Sequence, residues 1–353
     1  MAYVLGHIGV KSCNTVDEFL NELNSVSDIG GGTRMIFRGQ NGNGPEWNLL
    51  PKSMRREFQE DFVHPAFYSL KRIVEANHVD SASDLTDADL IALKVYVQRR
   101  IEDSLVRRFV EASDEARLSV PTDSRLEFGG AYEASYHDEI SQVLARIWTP
   151  PREPISIVDA LARHHEIPTR LLDFTFKPHV AAFFAAYGED LFDENDNGLS
   201  GSQPKREQDA TSSRSTQLPS DRIVVWAVSL PVLLADTSLV PVIHLRKHIA
   251  YLQAQDGLFV YDKHADKKFR KHHRWVGFEE EFRNITVVNG VYKITLPIWL
   301  RSELLRRLRF FGATAPTLMP SFATASQFTM RQFKRHSDRL LWKSFDQPHN
   351  PPA

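Results

Sequence analysis

Two short segments of this 353-residue chain combine residue types that suit the binding of an anion. The first is Phe37-Arg38-Gly39-Gln40, in which an arginine follows an apolar run and precedes a glycine. A guanidinium binds phosphate or carboxylate through two parallel hydrogen bonds, and a glycine lets a ligand or another backbone come close. The same residues also fit an internal salt bridge at the end of a strand, so both interpretations stay open.

The second segment, residues 162–175, holds two histidines, two arginines and an aspartate. Pro168 ends the helix that contains the start of this segment. His164 and His165 are therefore expected at a helix C-terminus, where the helix dipole favours the imidazolium. Arg170 and Asp173 are three residues apart and are expected to pair. A buried polar network that fixes a loop is the alternative. Adjacent histidines rarely bind one ion and no third ligand has suitable spacing, so no metal site is predicted.

Two further segments carry weaker patterns. Gln255 and Gly257 stand at a helix-to-strand junction, where an amide side chain can hydrogen-bond a ligand, although an ordinary turn has the same composition. In residues 278–282, alternation along a strand would place Glu279 and Glu281 on one face. A solvated charged surface is the alternative there.

The distribution of charge is uneven although the total is nearly balanced. The chain has 43 Lys+Arg against 45 Asp+Glu, but residues 244–345 hold 19 basic residues and only 8 acidic ones. Such a surface binds nucleic acid or another polyanion, or docks against the acidic remainder of the same chain. The candidate basic patch within it comprises Lys267, Lys268, Arg270 and Lys271.

The elements that must position these residues are mixed helices and strands, which predicts an α+β fold: a single domain with a small central sheet surrounded by helices. The domain is expected over 16–345, with a disordered insertion loop at 193–221 and a frayed tail at 346–353. Hydrophobic periodicity and turn residues place the elements. The predicted strands are 35–40, 223–230, 257–261 and 291–297. The predicted helices are 16–23, 57–118, 132–148, 157–164, 242–254, 299–311 and 328–345.

The chain has one cysteine, Cys13, which excludes an intramolecular disulfide scaffold. A lone cysteine without a basic neighbourhood fits a structural role better than a nucleophile. No secretory signal and no apolar run of about 18 residues is recognised. We therefore expect a cytoplasmic protein that does not bind membranes.

Taken together, the motifs resemble the FRG domain family. That family has an aromatic-Arg-Gly motif, a Trp-x-Leu-x-Pro-Ser-like stretch, a His-His-Gly-x-Pro-Thr-Arg-Leu-Leu-Asp-Phe-Thr-like block, a Gln-x-Gly-x-Phe element and a Leu-Met-Pro-like motif. They stand here, in the same order, as residues 37–39, 47–53, 164–175, 255–259 and 318–320. Glu166 departs from the pattern, since the family typically has glycine there, and the 193–221 loop resembles an insertion.

The resemblance implies that the motif residues converge on one site. The implied binding residues are Gly39, Gln40, His164, His165, Thr169, Arg170, Asp173 and Thr175. The implied catalytic residues are Arg38, Gln255 and Glu281.

Two classes of function follow as hypotheses. An intracellular enzyme similar to an ADP-ribosyltransferase would use NAD, with Arg38 on its phosphate or ribose and Gln255 or Glu281 on the ribose hydroxyl. A non-catalytic module would bind a nucleotide at the motif pocket and nucleic acid at the basic region, in a bacterial phage-defence or toxin-like system. A hydrolase is disfavoured because the sequence holds no Gly-x-Ser-x-Gly or Walker-type motif.

Overall fold

The computed structural model describes residues 3–5, 8–28, 34–42, 49–77, 85–120, 136–145, 156–187, 222–243, 250–285, 287 and 290–330. The predicted insertion loop at 193–221, the predicted tail at 346–353 and most of the predicted helix at 328–345 lie outside the described residues. Within the described part, no helix is long and apolar enough to cross a membrane.

Eight described strands form one sheet, in the order β1-β2-β8-β5-β3-β4-β7-β6. β2 and β8 run parallel, and the other neighbouring pairs are antiparallel. Helices pack around this sheet, which confirms the α+β prediction. The strands are β1 (Tyr3–Leu5), β2 (Ile8–Ser12), β3 (Met35–Gln40), β4 (Leu172–Thr175), β5 (Arg222–Ser229), β6 (Leu239–Val242), β7 (Gly257–Asp262) and β8 (Val291–Pro297).

The sheet is larger than the small sheet that was predicted. The four predicted strands are confirmed as β3, β5, β7 and β8, whereas β1, β2, β4 and β6 were missed. Each missed strand has only three to five residues. Such short segments contain too few residues for an apolar alternation to stand out.

The described helices confirm most of the predicted helical regions. They are α1 (Val16–Asp28), α2 (Arg56–Phe58), α3 (His64–Asn77), α4 (Asp87–Glu115), α5 (Tyr136–Leu144), α6 (Ile157–His164), α7 (Pro178–Ala186), α8 (Leu230–Asp236), α9 (Ala250–Ala254), α10 (Ala265–His272), α11 (Phe278–Arg283), α12 (Arg301–Leu308) and α13 (Ala315–Leu318).

Two predictions of secondary structure are corrected. Residues 278–283 form the helix α11, not a strand, because the buried Phe278 and Phe282 are four residues apart and share one face of a helix. The predicted helix at 242–254 is helical in its described part only over Ala250–Ala254, since β6 extends to Val242.

Local capping explains where several helices begin and end. The Ser156 hydroxyl accepts a hydrogen bond from the Asp159 backbone N–H, and the Asp159 carboxylate accepts one from the Ser156 backbone N–H, which fixes the start of α6. Thr15 caps α1 through the Glu18 backbone. Gly312 has the left-handed φ of 70° that a helix-ending glycine provides.

The core lies on both faces of the sheet. On one face, Phe37 of β3 packs with apolar residues of α1, α7 and α12. On the other face, Ile36 packs with residues of α8 and α11. A separate apolar cluster joins α3, α4 and α5 beside the sheet. The motif strand β3 is therefore buried on both faces and paired along its full length with β5, which makes it a rigid support for Arg38.

Candidate anion-binding site

The sheet brings three of the sequence motifs onto neighbouring strands. β3 pairs with β5 along all six of its residues, and β4 pairs with β7 along all four of its residues. Between β3 and β4, however, only Phe37 and Thr175 pair. Beyond that pair the two strands separate, so the sheet is split beside Arg38.

The guanidinium of Arg38 lies in this split. Its Nη1 donates to the backbone oxygen of Asp173 at 2.7 Å and lies 3.7 Å from Asp173 Oδ2. Continued antiparallel pairing would have placed Gly39 opposite Asp173, so the side chain of Arg38 replaces the missing backbone contact. Arg38 Nε is buried and has no hydrogen-bond partner in the structure. Burial lowers the pKa of Arg38 to about 10, although the Asp173 carboxylate opposes this shift.

Asp173 also binds a second arginine. The Nε and Nη2 of Arg163, at the end of α6, lie 3.1 and 2.6 Å from Asp173 Oδ2. Burial alone would raise the pKa of Asp173, but Arg163 and Arg38 hold it below its ordinary value. The Asp173 side chain is 41% exposed, so this charged group faces solvent.

Arg55 adds a third guanidinium. Its Nε donates to the Leu50 backbone oxygen at 3.1 Å. The pKa of Arg55 is lowered by burial and then by the charge of Arg163, while Glu57 and Asp173 act in the opposite direction. We call Arg38, Arg55, Arg163 and Asp173 the anion site. Two of its guanidiniums, those of Arg38 and Arg163, contact the single carboxylate, and Glu57 is exposed. This excess of positive charge favours an anionic ligand.

The two histidines lie beside the anion site. His164 is half-buried and its ring centroid is 4.1 Å from that of Tyr251. Burial, and after it the charge of His165, lowers the pKa of His164 to about 4. The expectation that the helix dipole keeps His164 protonated was therefore wrong, because the loss of solvation outweighs the dipole. His165 is exposed and stacks on Phe109 at 5.8 Å.

Arg170 lies outside the anion site in a buried ionic network. Its Nε and Nη1 bind Glu102 Oε2 at 2.5 Å and Asp266 Oδ1 at 2.6 Å. The predicted pairing of Arg170 with Asp173 was wrong, because each residue has closer partners of opposite charge. Ser53 and Gln98 also donate to Glu102, so the Pro-Lys-Ser motif meets the Pro-Thr-Arg motif through this network.

The remaining motif residues mostly bind one another. The Thr175 hydroxyl donates to the Gln255 backbone oxygen at 2.6 Å, and Gln255 Nε2 donates to the Leu318 oxygen at 3.0 Å. Gln40 Oε1 accepts a hydrogen bond from Trp226 Nε1 at 2.9 Å. Thr169 is buried, and its backbone oxygen accepts a hydrogen bond from Ser53. These contacts join the motif segments to one another.

Gly39 accommodates a helix. A Cβ at this position would lie 1.9 Å from the Ala181 backbone oxygen and 2.6 Å from the Ala185 backbone nitrogen, both in α7. The absence of a side chain at Gly39 therefore lets the backbone of α7 come close, not a ligand.

The backbone explains why glycine suits the position of Glu166. This residue follows the end of α6 and has a φ of 65°, in the left-handed region. A residue with a Cβ pays about 1–2 kcal/mol there, whereas glycine does not. The chain nevertheless keeps this conformation, and Lys52 Nζ donates to the Glu166 backbone oxygen at 3.0 Å. The departure from the family pattern therefore leaves the local backbone in the conformation that glycine would favour.

Glu281 is engaged in a different cluster. It lies 2.7 Å from Lys268 Nζ and accepts a hydrogen bond from Ser238. Lys268 also lies 2.6 Å from Asp262, so it is neutralised and does not contribute to an exposed basic patch. The other patch residues, Lys267, Arg270 and Lys271, are exposed on α10.

Other nucleophilic or metal-binding arrangements receive no support in the described part of the chain. Cys13 is buried, and burial raises the pKa of its thiol to about 11, which opposes formation of the thiolate. Among the described residues, no group of three or more His, Cys, Asp or Glu side chains could hold a metal ion.

Sequence reasoning missed two residues of the anion site, Arg55 and Arg163, and one residue beside it, Tyr251. Arg163 directly precedes the histidine pair, but its contact with Asp173 depends on where α6 ends. Arg55 and Tyr251 lie far from the main block in sequence. A count of arginines near each motif would have identified Arg55 and Arg163, whereas no local signal indicated Tyr251.

The fold and site define an α+β protein in which an arginine of a central strand and an aspartate of its neighbour form the centre of a basic site. Residues 33–194 match the model of the FRG domain. This match supports the assignment of residues 33–194 to the FRG domain family. The match includes Arg38, Arg55, Arg163 and Asp173, while Gln255 and Leu318 lie beyond it. No curated protein and no solved structure matches the chain.

Proposed function

We propose that this FRG-domain protein binds a phosphate-bearing small molecule, nucleotides included, at the anion site. The observation that carries the proposal is that the Arg38 and Arg163 guanidiniums both contact the Asp173 carboxylate, while the charge of a third guanidinium, that of Arg55, acts on Arg163 and Asp173. Arg38 also retains a buried Nε without a partner. A buried donor left unsatisfied costs about 1–3 kcal/mol, which a phosphate oxygen would offset.

Cleavage of NAD, in the manner of an ADP-ribosyltransferase, is the catalytic form of this proposal. The bond between nicotinamide and ribose would break, nicotinamide would leave with its electron pair, and an acceptor nucleophile or water would bond to the same ribose carbon and release its proton to solvent. Arg38 would hold the pyrophosphate. Gln255 and Glu281 support this form less, because the first donates to Leu318 and the second pairs with Lys268. Asp173 is the carboxylate of the anion site and would bind a ribose hydroxyl.

Arg55→Met tests the proposal, and Arg56→Met is its matched control. Arg55 belongs to the anion site, whereas the neighbouring Arg56 is exposed and pairs with Glu60 at 2.7 Å. Hydrogen bonds to charged groups contribute about 1.5–3 kcal/mol, so we expect Arg55→Met to weaken binding roughly 10- to 100-fold. Isothermal titration calorimetry with inorganic pyrophosphate and with NAD measures this change, and nicotinamide release is followed in the same NAD samples.

Arg56→Met should bind both probes as the wild type does. Equal effects of the two substitutions, or no binding of either probe to the wild type, would contradict the proposal. Binding of NAD without nicotinamide release would retain the binding site and exclude the catalytic form under these conditions.

Nucleic-acid binding at α10 is a second candidate function. Lys267, Arg270 and Lys271 are exposed, and among the described residues they form no ion pair. A helix that presents several unneutralised cations suits a phosphate backbone.

The triple variant Lys267→Gln, Arg270→Gln and Lys271→Gln should reduce both nucleic-acid affinity and its salt dependence. Each lost phosphate contact lowers the slope of log affinity against log salt by about 0.9 for duplex DNA. Fluorescence anisotropy with a labelled duplex between roughly 50 and 200 mM salt measures the slope. A control that removes three exposed arginines elsewhere, Arg72, Arg108 and Arg117, should retain it. An unchanged slope in the α10 variant would exclude this surface.

A further inference from the structure

We propose that the ligand of the anion site carries an aromatic base, which stacks on a row of four rings beside the arginines. This inference rests on the proposed function and narrows its ligand to the base-bearing nucleotides. The row, which we call the aromatic row, consists of Phe109, His165, His164 and Tyr251.

The rings of the row are in consecutive contact. The centroids of Phe109 and His165 are 5.8 Å apart, those of His165 and His164 are 5.2 Å apart, and those of His164 and Tyr251 are 4.1 Å apart. The row thus connects three helices, since Phe109 lies in α4, His164 ends α6 and Tyr251 lies in α9. Residues from three separate elements hold the rings in place before any ligand arrives.

The row directly adjoins the anion site. His164 follows Arg163 in sequence, and the charges of both Asp173 and Arg163 act on it. A ligand whose phosphate contacts Arg163 therefore lies close to the His164 ring. Because burial keeps His164 neutral at physiological pH, this ring is an apolar stacking surface and adds no further positive charge.

Core packing does not account for most of the row. His165 is exposed, and His164 and Tyr251 are only half-buried. Tyr251 belongs to none of the apolar clusters of the described residues, whereas the nearby Tyr261 does. Exposed rings beside a phosphate site are the arrangement by which proteins bind bases without reading their sequence, since every base has a π face.

A comparison of AMP with ribose 5-phosphate tests the inference, because these probes differ only in the base. Stacking contributes about 1–3 kcal/mol per base, so wild-type protein should bind AMP roughly 5- to 150-fold more tightly in isothermal titration calorimetry. Tyr251→Leu should lose most of this preference while its affinity for ribose 5-phosphate stays unchanged. Tyr251→Phe, which keeps the ring, should retain the preference. Tyr68→Leu, at an exposed tyrosine of α3, is the matched control and should also retain it.

The outcomes separate this inference from the proposed function. Equal affinities of wild type for AMP and ribose 5-phosphate would overturn the base-stacking inference and leave the anion site standing. Equal weakening of both probes by Tyr251→Leu would also overturn it, because the ring would then support the arginines and not a base. Absence of binding of both probes to the wild type would overturn the inference together with the proposed function.

Discussion

Gly39→Ala is expected to destabilise the protein by about 3 kcal/mol or more, even though it adds a single methyl group. The new Cβ would lie 1.9 Å from the Ala181 oxygen and 2.6 Å from the Ala185 nitrogen. Both are backbone atoms of α7, so no side-chain rotation can make room. β3 itself cannot move aside, because β5 pairs with it along one edge and both of its faces are buried.

Urea unfolding followed by circular dichroism measures the free energy of unfolding of this variant. Gly312→Ala is the control, since Gly312 has a φ of 70° and no atom within 4 Å of a new Cβ. It isolates the conformational cost of a Cβ in the left-handed region, about 1–2 kcal/mol. A Gly39→Ala variant that loses no more stability than Gly312→Ala would show that β3 and α7 do not pack as closely as described.

The expected result separates two roles within one motif. In Phe37-Arg38-Gly39, the aromatic residue is fully buried and the glycine admits α7, so both serve the packing of the central strand. Only the arginine between them reaches the split in the sheet. The spacing of the motif therefore follows from the strand: residues on one side meet the core while the residue between them reaches the site.

Much of the fold could be predicted from the sequence because its signals are local. The apolar run before Arg38 and the apolar run at 223–230 identify the two central strands, and Ser156 with Asp159 identifies the start of α6. The four-residue β4 could not be recognised in this way. Its identity as a strand depends on hydrogen bonds with β7, which is more than 80 residues away.

The site could be predicted only in part for the same reason. The sequence indicated Arg38 and Asp173, but not that a split between two strands brings them together. The neutral state of His164 depends on burial by the surrounding elements. A rule based on the helix end alone predicts a raised pKa, whereas the pKa is lowered. Arg170 was assigned to Asp173 because they are close in sequence. Its actual partners, Glu102 and Asp266, are separated from it by 68 and 96 residues.

Arg170→Met is expected to destabilise the protein by about 3–5 kcal/mol. The substitution leaves Glu102 and Asp266 without their central cation, and Glu102 is buried. Arg99 still binds Asp266 at 2.8 Å, whereas Glu102 keeps only neutral donors. An uncompensated carboxylate in the interior costs more than the lost packing. Urea unfolding gives the stability, and calorimetry with pyrophosphate gives the effect on the anion site.

The variant Arg170→Met with Glu102→Gln decides whether charge is the cause. Glutamine keeps an oxygen that can accept from Ser53 and Gln98 but carries no charge, so the double variant should recover part of the loss. If Arg170 instead contacted the ligand, Arg170→Met would abolish pyrophosphate binding at nearly unchanged stability, and Glu102→Gln would restore nothing. The Pro-Thr-Arg motif would then belong to the site.

The observed contacts favour a loss of stability that Glu102→Gln partly recovers. Both carboxylates lie on elements that Arg170 joins: α4 through Glu102 and α10 through Asp266. In that case the residues of segment 162–175 have two separate roles. Arg170 holds α4 and α10 together, whereas Arg163 and Asp173 bind the ligand.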